Sequence, residues 1–282
     1  MPAALAGPAE EAAQIAALAG FHGGLVVQVG CGDGQLTAAL RLADNCVVQG
    51  LEADAERVEA ARAAVRAAGV YGPVSVVHFS GKKLPYVDNL VNLVVADHLG
   101  KLPMQEVLRV LAPGGVALIG GEKTVKPSPK EMDEWQHHYH SADNNAVARD
   151  ELVGPPRHFQ WIAGPDWSRA HLSLPSMNSL VSAGGRLFSI EDRASAEHPA
   201  LPGKFALICR DAFNGIELWR TPLSAWPSAR FRSGPAQLPR LVVASDEHVY
   251  VPLELGGSVS QLEAATGKTL RTFDATKGAE EI

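Results

Sequence analysis

Apolar and polar positions follow two rhythms along this chain, and the change falls near its middle. Val26-Val27-Gln28-Val29, Cys46–Glu52, Val74–Phe79, Leu90–Ala96 and Val116–Ile119 are short apolar runs that read as buried strands. Between them, Leu36–Leu40, Ala55–Ala68 and Pro103–Leu111 carry helical spacing, with Val58, Ala61, Val65 and Ala68 on one face and Gly69 as the stop. Glu10–Leu18 is a helical lead-in to the first strand. Strands alternating with helices predict an α/β fold, a parallel sheet covered on both faces. After Ile119, Gly120-Gly121-Glu122-Lys123 leads into Lys126-Pro127-Ser128-Pro129, which reads as stiff and polar and unlike a strand. The sheet is therefore expected to stop at five strands.

Beyond Pro129 the helical spacing fades and a different pattern repeats. Leu180–Ile190 is similar to Leu241–Val251, and Leu207–Trp219 to Ser260–Leu270, a period of about 55–60 residues, in the range of propellers and solenoids. Each unit reads strand, tight turn, strand, loop, strand, Asn-Gly or Thr-Gly turn, strand, the layout of a four-stranded blade. The expected organisation is an α/β domain over residues 1–122, a linker over 123–165, and all-β blades over 166–282. About two blades are present where a ring needs four to eight, so the chain is expected to be the N-terminal fragment of a longer protein, or to share its ring with another chain.

The chemistry concentrates where the first strand ends. Gly30-Cys31-Gly32-Asp33-Gly34-Gln35 runs from a strand into a helix start, and glycines there let a backbone approach a ligand. A dinucleotide fingerprint would require glycine where Gln35 stands. The spacing is G-x-G-x-G, which resembles motif I of the class I S-adenosylmethionine-dependent methyltransferases. Gly50-Leu51-Glu52-Ala53-Asp54 resembles the family's second motif, Leu84-Pro85-Tyr86 with Leu90–Val94 the next, and Leu108–Gly115 the stretch before strand five. The resemblance covers about residues 20–120 and implies a Rossmann-like fold and S-adenosylmethionine as cofactor. It also implies that Gly30, Cys31, Gly32, Asp33 and Gly34 cradle the cofactor, that Glu52 meets the ribose diol, and that Ser80 stands by the adenine. Asp97 and His98, after strand four, fall where the family often places acceptor-side residues.

Three positions depart from that family. Gln28 stands in place of the acid that contacts the methionine end, Ser80 in place of an Asp, and Asn92 in place of the strand-four Asp. Asp211-Ala212-Phe213-Asn214-Gly215-Ile216-Glu217-Leu218-Trp219 resembles the quinoprotein-like (PQQ-repeat) β-propeller family, and the combination resembles large bacterial proteins that join the two domains. With most of the ring outside the chain, a bound pyrroloquinoline quinone is not expected here. Trp161 and Trp219 are expected to pack between blades. His137, His138 and His140 near Trp135, with His158, His171, Asp133 and Asp143, lack diagnostic metal spacing, and no metal is expected.

Composition narrows the partners. A formal net charge of −6 gives no basic field for nucleic acid. Cys31, Cys46 and Cys209 suit neither a disulfide framework nor a zinc site, which favours a reducing compartment. No apolar run reaches the roughly 20 residues of a membrane span. The start carries Glu10 and Glu11 and no basic n-region, so the chain as written reads as cytoplasmic, and as periplasmic or secreted if a signal lies upstream. The functional expectation is methyl transfer from S-adenosylmethionine to an unknown acceptor. The competing one is a non-catalytic scaffold whose α/β domain is degenerate and whose propeller recognises a protein or polysaccharide.

Overall fold

A computed structural model describes residues 7–155, 157, 159–164, 177–195, 202–226 and 238–282. The chain divides into two units, Met1–Ser128 and Pro129–Ile282.

In the first unit, helix α1 (Pro8–Ala19) precedes β1 (Gly24–Val29), α2 (Gln35–Ala39), β2 (Cys46–Glu52), α3 (Ala55–Ala67), β3 (Val74–His78), β4 (Val91–Ala96), α4 (Met104–Val110), β5 (Leu111–Ile119) and β6 (Glu122–Val125). The strand order is β3-β2-β1-β4-β5-β6, with β1 to β5 parallel. Consecutive valines of β1 serve opposite faces. Val26 joins Val48, Val58, Ala61 and Val65 in one core, and Val27 joins Val94, Val107, Val110 and Ala117 in the other. Both faces being covered explains why the strands are apolar without alternation. Helix α3 starts on Asp54, whose carboxylate accepts from the Glu56 and Arg57 N–H groups at 2.8 and 3.4 Å. Val58, Ala61 and Val65 are buried as its spacing predicts, whereas Ala68 lies at the exposed C-cap.

The sheet does not stop at five strands. Gly120 and Gly121, both at positive φ (57° and 83°), turn the chain back, and β6 pairs antiparallel with β5 from Val116↔Val125 to Ile119↔Glu122. The strand was hidden because it is an edge, and edges are polar. A lysine of this strand and another just past its end reach two helix ends. Lys123 Nζ donates to the Leu18 and Ala19 carbonyls at 2.8 and 3.2 Å, and Lys126 Nζ to the Leu111 carbonyl at 2.7 Å and to Asn89 Oδ1 at 2.5 Å. Helix α1 has no basic residue in its own last turn, so Lys123 supplies the cation its C-terminal carbonyls favour. A second clamp holds the loop before β4 against α4. Arg109 bonds both Glu106 oxygens, Asp88 and the Leu84 carbonyl, and the Arg109 bond first, then the Leu84 N–H, hold Glu106 below the usual carboxylate range against the opposing effect of burial.

Among its described residues the second unit holds two four-stranded antiparallel sheets. One is β7 (Met177–Ala183), β8 (Arg186–Asp192), β9 (Phe205–Asp211) and β10 (Glu217–Pro222); the other is β11 (Val243–Ala244), β12 (His248–Pro252), β13 (Val259–Glu263) and β14 (Thr269–Phe273). Both are meanders, as the repeat predicts. They share one core, in which Phe188, Ile190, Leu207 and Cys209 of the first meet Val249, Val251, Leu262 and Ala264 of the second. Trp219 Nε1 donates to the Ala264 carbonyl at 2.9 Å, and Trp161 Nε1 does the same to Ala212 at 3.0 Å. Each indole lies over the following turn glycine, Gly267 and Gly215. Among the described residues the sheets form no closed ring, so the structure shows antiparallel sheets and not a propeller.

Candidate functional site

The strand order reverses between β1 and β4, and in open α/β sheets the crevice at that reversal takes the ligand. A cavity of about 370 Å³ lies there, within the range of small-molecule sites. Its walls come from the loop after β1 (Gly30, Cys31, Gly32, Asp33), from Gln28 within β1, from Val95, Ala96 and Asp97 at the end of β4, from Leu118 and Gly121, and from Glu11, Ile15 and Leu18 of α1.

The three loop glycines have positive φ, 75°, 56° and 79° at Gly30, Gly32 and Gly34, but different reasons for lacking a side chain. A Cβ at Gly34 would sit 2.7 Å from the Ala61 Cα, so this glycine lets α2 close on α3. A Cβ at Gly30 or Gly32 would meet nothing within 4 Å, and both residues line the cavity. The loop is tied down by Leu51, whose carbonyl accepts from the Gly30 and Cys31 N–H groups at 2.8 and 3.1 Å. Helix α2 is only five residues long, so its N-terminus contributes little field; Asp33 Oδ1 accepts from the Gln35 N–H at 3.0 Å and serves its start.

Glu52 is 6% exposed at the end of β2. Its Oε2 accepts from the Gly32 N–H at 2.9 Å, and its Oε1 from the Ala53 and Asp54 N–H groups at 2.9 and 3.1 Å. The carboxylate thus fixes the shape of the glycine loop from behind. Gln28 is 7% exposed, and its Oε1 accepts the hydroxyl of the fully buried Thr37 at 2.6 Å. Burial, with Glu52 nearby, pushes the Cys31 thiol up to about 11, so Cys31 is neutral at ordinary pH and is no nucleophile.

The other sequence-picked positions divide. Asp97 lines the cavity, whereas the exposed His98 and Ser80 are not among its lining residues, nor is Glu52. Asn92 is structural: its Oδ1 accepts from the Leu25 N–H at 2.8 Å. Three lining residues of α1 had no functional signal in the sequence. Glu11, Ile15 and Leu18 share one helix face by their spacing, and that spacing was the only sign available.

In the second unit, His140 is 5% exposed at φ 72°, and its Nε2 lies 2.7 Å from Asp133 Oδ2. Asp133 is held below the usual carboxylate range, first by the Arg149 N–H and then by His140, with burial opposing. The loop ties β7 to β11, since Trp135 O accepts from the Ser182 N–H and Gln136 O from the Ala244 N–H. No group of three or more metal-ligating side chains occurs among the described residues; His158 and His171 lie outside them. Glu191, fully buried, pairs with Arg210 at 3.2 Å on the other face of the first meander. No helix among the described residues is long and apolar enough to cross a membrane.

Comparison with known proteins places the first unit. Residues 26–115 match the family of the methyltransferase domain. Among solved structures, a SAM-dependent methyltransferase from Aquifex aeolicus is 22% identical, with 39% of this chain and 62% of that one covered and a TM-score of 0.35. The geranyl diphosphate C-methyltransferase of Streptomyces coelicolor A3(2), solved with Mg2+, geranyl diphosphate and S-adenosyl-L-homocysteine, is 19% identical, covering 39% and 45%, with a TM-score of 0.34. The [4+2]-cyclase SpnF is 30% identical, covering 39% and 43%, with a TM-score of 0.35. The chain thus spans about half the length of these structures. No curated protein matches it.

Proposed function

We propose that the first unit binds S-adenosylmethionine and transfers its methyl group to a nucleophile on an acceptor not yet identified. The observation that carries this reading is the cavity at the β1–β4 reversal, walled by the open glycines Gly30 and Gly32, which belong to the residues that match the methyltransferase domain. The residues fit the group: a backbone cradle where a Cβ would project into free space suits close approach of a ligand. Gly30, Cys31, Gly32 and Asp33 would hold it, and Glu52, which spends three acceptor positions on the loop, keeps one on Oε2 for a ribose hydroxyl. Ser80, beyond the end of β3, stands on the side of the adenine.

The cofactor supplies an electrophilic methyl carbon on a sulfonium. Displacement at that carbon would release the sulfur as a neutral thioether, and the residues that would hold the sulfonium for it are those of the glycine loop, Gly30 to Asp33. Positioning is then the protein's main contribution, which a cavity walled by α1 and the loop supports. Asp97, which lines the cavity just after β4, is assigned the acceptor side, with His98 next to it in sequence.

The antiparallel sheets favour a second role alongside the first. We infer that they are blades of a PQQ-like repeat, on the serial tryptophan docking of Trp161 and Trp219, and that they recognise a protein or polysaccharide partner. In that arrangement the α/β domain includes the edge strand Glu122–Val125, and the blades belong to the second unit.

Calorimetric titration of the full chain with S-adenosylmethionine tests the cofactor reading. Micromolar binding, abolished by Gly32→Val, is expected. An absence of binding at millimolar ligand overturns it and leaves the scaffold reading.

A further inference from the structure

The cavity has an electrostatic character that its strand-one residue does not explain. Among the described residues, the charged side chains along its wall are Glu11, Asp33 and Asp97, with no Lys, Arg or His. Carboxylates alone would make only a generic acidic cleft. The second observation is Gln28, which lines the same cavity while more than nine-tenths buried. Its Oε1 is taken by the Thr37 hydroxyl at 2.6 Å, so Nε2 is the atom left to donate to a ligand in the cavity. The wall thus offers a neutral donor from β1 and negative charge from α1 and the end of β4.

From this we infer that the cavity takes an α-amino-acid end in a set orientation: Gln28 Nε2 donates to its carboxylate, and Glu11 of α1 receives its ammonium. This rests on the S-adenosylmethionine reading and specifies which residues determine recognition. The orientation is opposite to the one an acid at position 28 would impose, because a carboxylate there would attract the ammonium and repel the carboxylate. Glu11 can do this because α1 is fixed. Gly20, at φ 68°, closes its C-terminus with N–H bonds back into the last turn, and Lys123 holds the same end. Ile15, one turn from Glu11, packs into the core beneath.

The two arrangements respond oppositely to one substitution. Titrating S-adenosylmethionine into the full-length wild-type, Gln28→Glu and Glu11→Gln proteins reads both contacts. The proposal expects Gln28→Glu to weaken binding about tenfold or more, and Glu11→Gln to weaken it about fivefold to tenfold. Decarboxylated S-adenosylmethionine, which keeps the amine, should bind Gln28→Glu no worse than wild type. Tighter binding of S-adenosylmethionine by Gln28→Glu overturns the proposal, and so does an unchanged affinity in Glu11→Gln, whose exposed position leaves folding intact. Loss of binding in the wild type is the separate result that removes the cofactor reading and this inference with it.

Discussion

Two glycine turns, one in each unit, look alike in sequence and do opposite work. The loop after β1 and the turn before β14 both place glycine at positive φ, 56° at Gly32 and 73° at Gly267. At Gly267 the space a Cβ would need is filled by Trp219, 2.5 Å away, and Gly215 is filled in the same way by Trp161. At Gly32 that space is empty and belongs to the cavity. A filled glycine is a packing device and an empty one is a binding device. Gly34, two residues from Gly32, is of the filled kind.

Substitution should separate the kinds, and the largest effect is expected at a filled site. Gly267→Val should cost about 3 kcal/mol or more, since the backbone conformation and the indole both resist it. Chemical denaturation followed by tryptophan fluorescence would read it, and a loss under 1 kcal/mol would break the contrast. Within one loop, Gly34→Ala should unfold the first unit more readily than Gly32→Ala. The latter should lose only the left-handed strain, about 1–2 kcal/mol, yet abolish ligand binding. Equal stabilities for the two variants would mean that Ala61 yields.

A smaller effect concerns pH. The Asp133 carboxyl is held below its ordinary value, so its contribution is present above about pH 4, the unfolded-state pKa, and is lost as pH falls toward and through the depressed folded value. Asp133→Asn should flatten that acid limb in a melting-temperature profile, and an unchanged slope between pH 5 and 2.5 would show that the loop does not contribute. The smallest expected change is at Lys123→Met. It should cost about 0.3–1 kcal/mol from the lost C-terminal charge, together with faster amide exchange in the last turn of α1.

Most of the first unit was legible from apolar runs. The strands of Cys46–Glu52 and Val116–Ile119, and the buried face Val58, Ala61 and Val65, follow from burial on two faces, which leaves a strong signal. The strand Glu122–Val125 was not legible, because its reason for being a strand is a two-glycine reversal and not a buried side chain. The paired meanders were readable from their internal repeat. Of the residues that line the cavity, Gly30, Cys31, Gly32 and Asp33 were singled out by glycine spacing and Asp97 by the family resemblance. Glu11, Ile15 and Leu18 were not, since helix residues that cover a crevice carry the same pattern as helix residues that cover a core. Gln28 was read as a missing charge, and its partner Thr37 fixes which atom it shows.

The β5–β6 hairpin makes the cavity's outer wall accountable to a region with no ligand contact. Lys123 in β6 and Lys126 just past its end grip the carbonyl ends of α1 and of α4. Helix α1 carries part of the cavity wall, so a ligand that orders it also stabilises the grip. Linkage makes that coupling reciprocal: whatever frays the hairpin weakens the ligand by the same factor, and the two helices, remote in sequence, share one equilibrium.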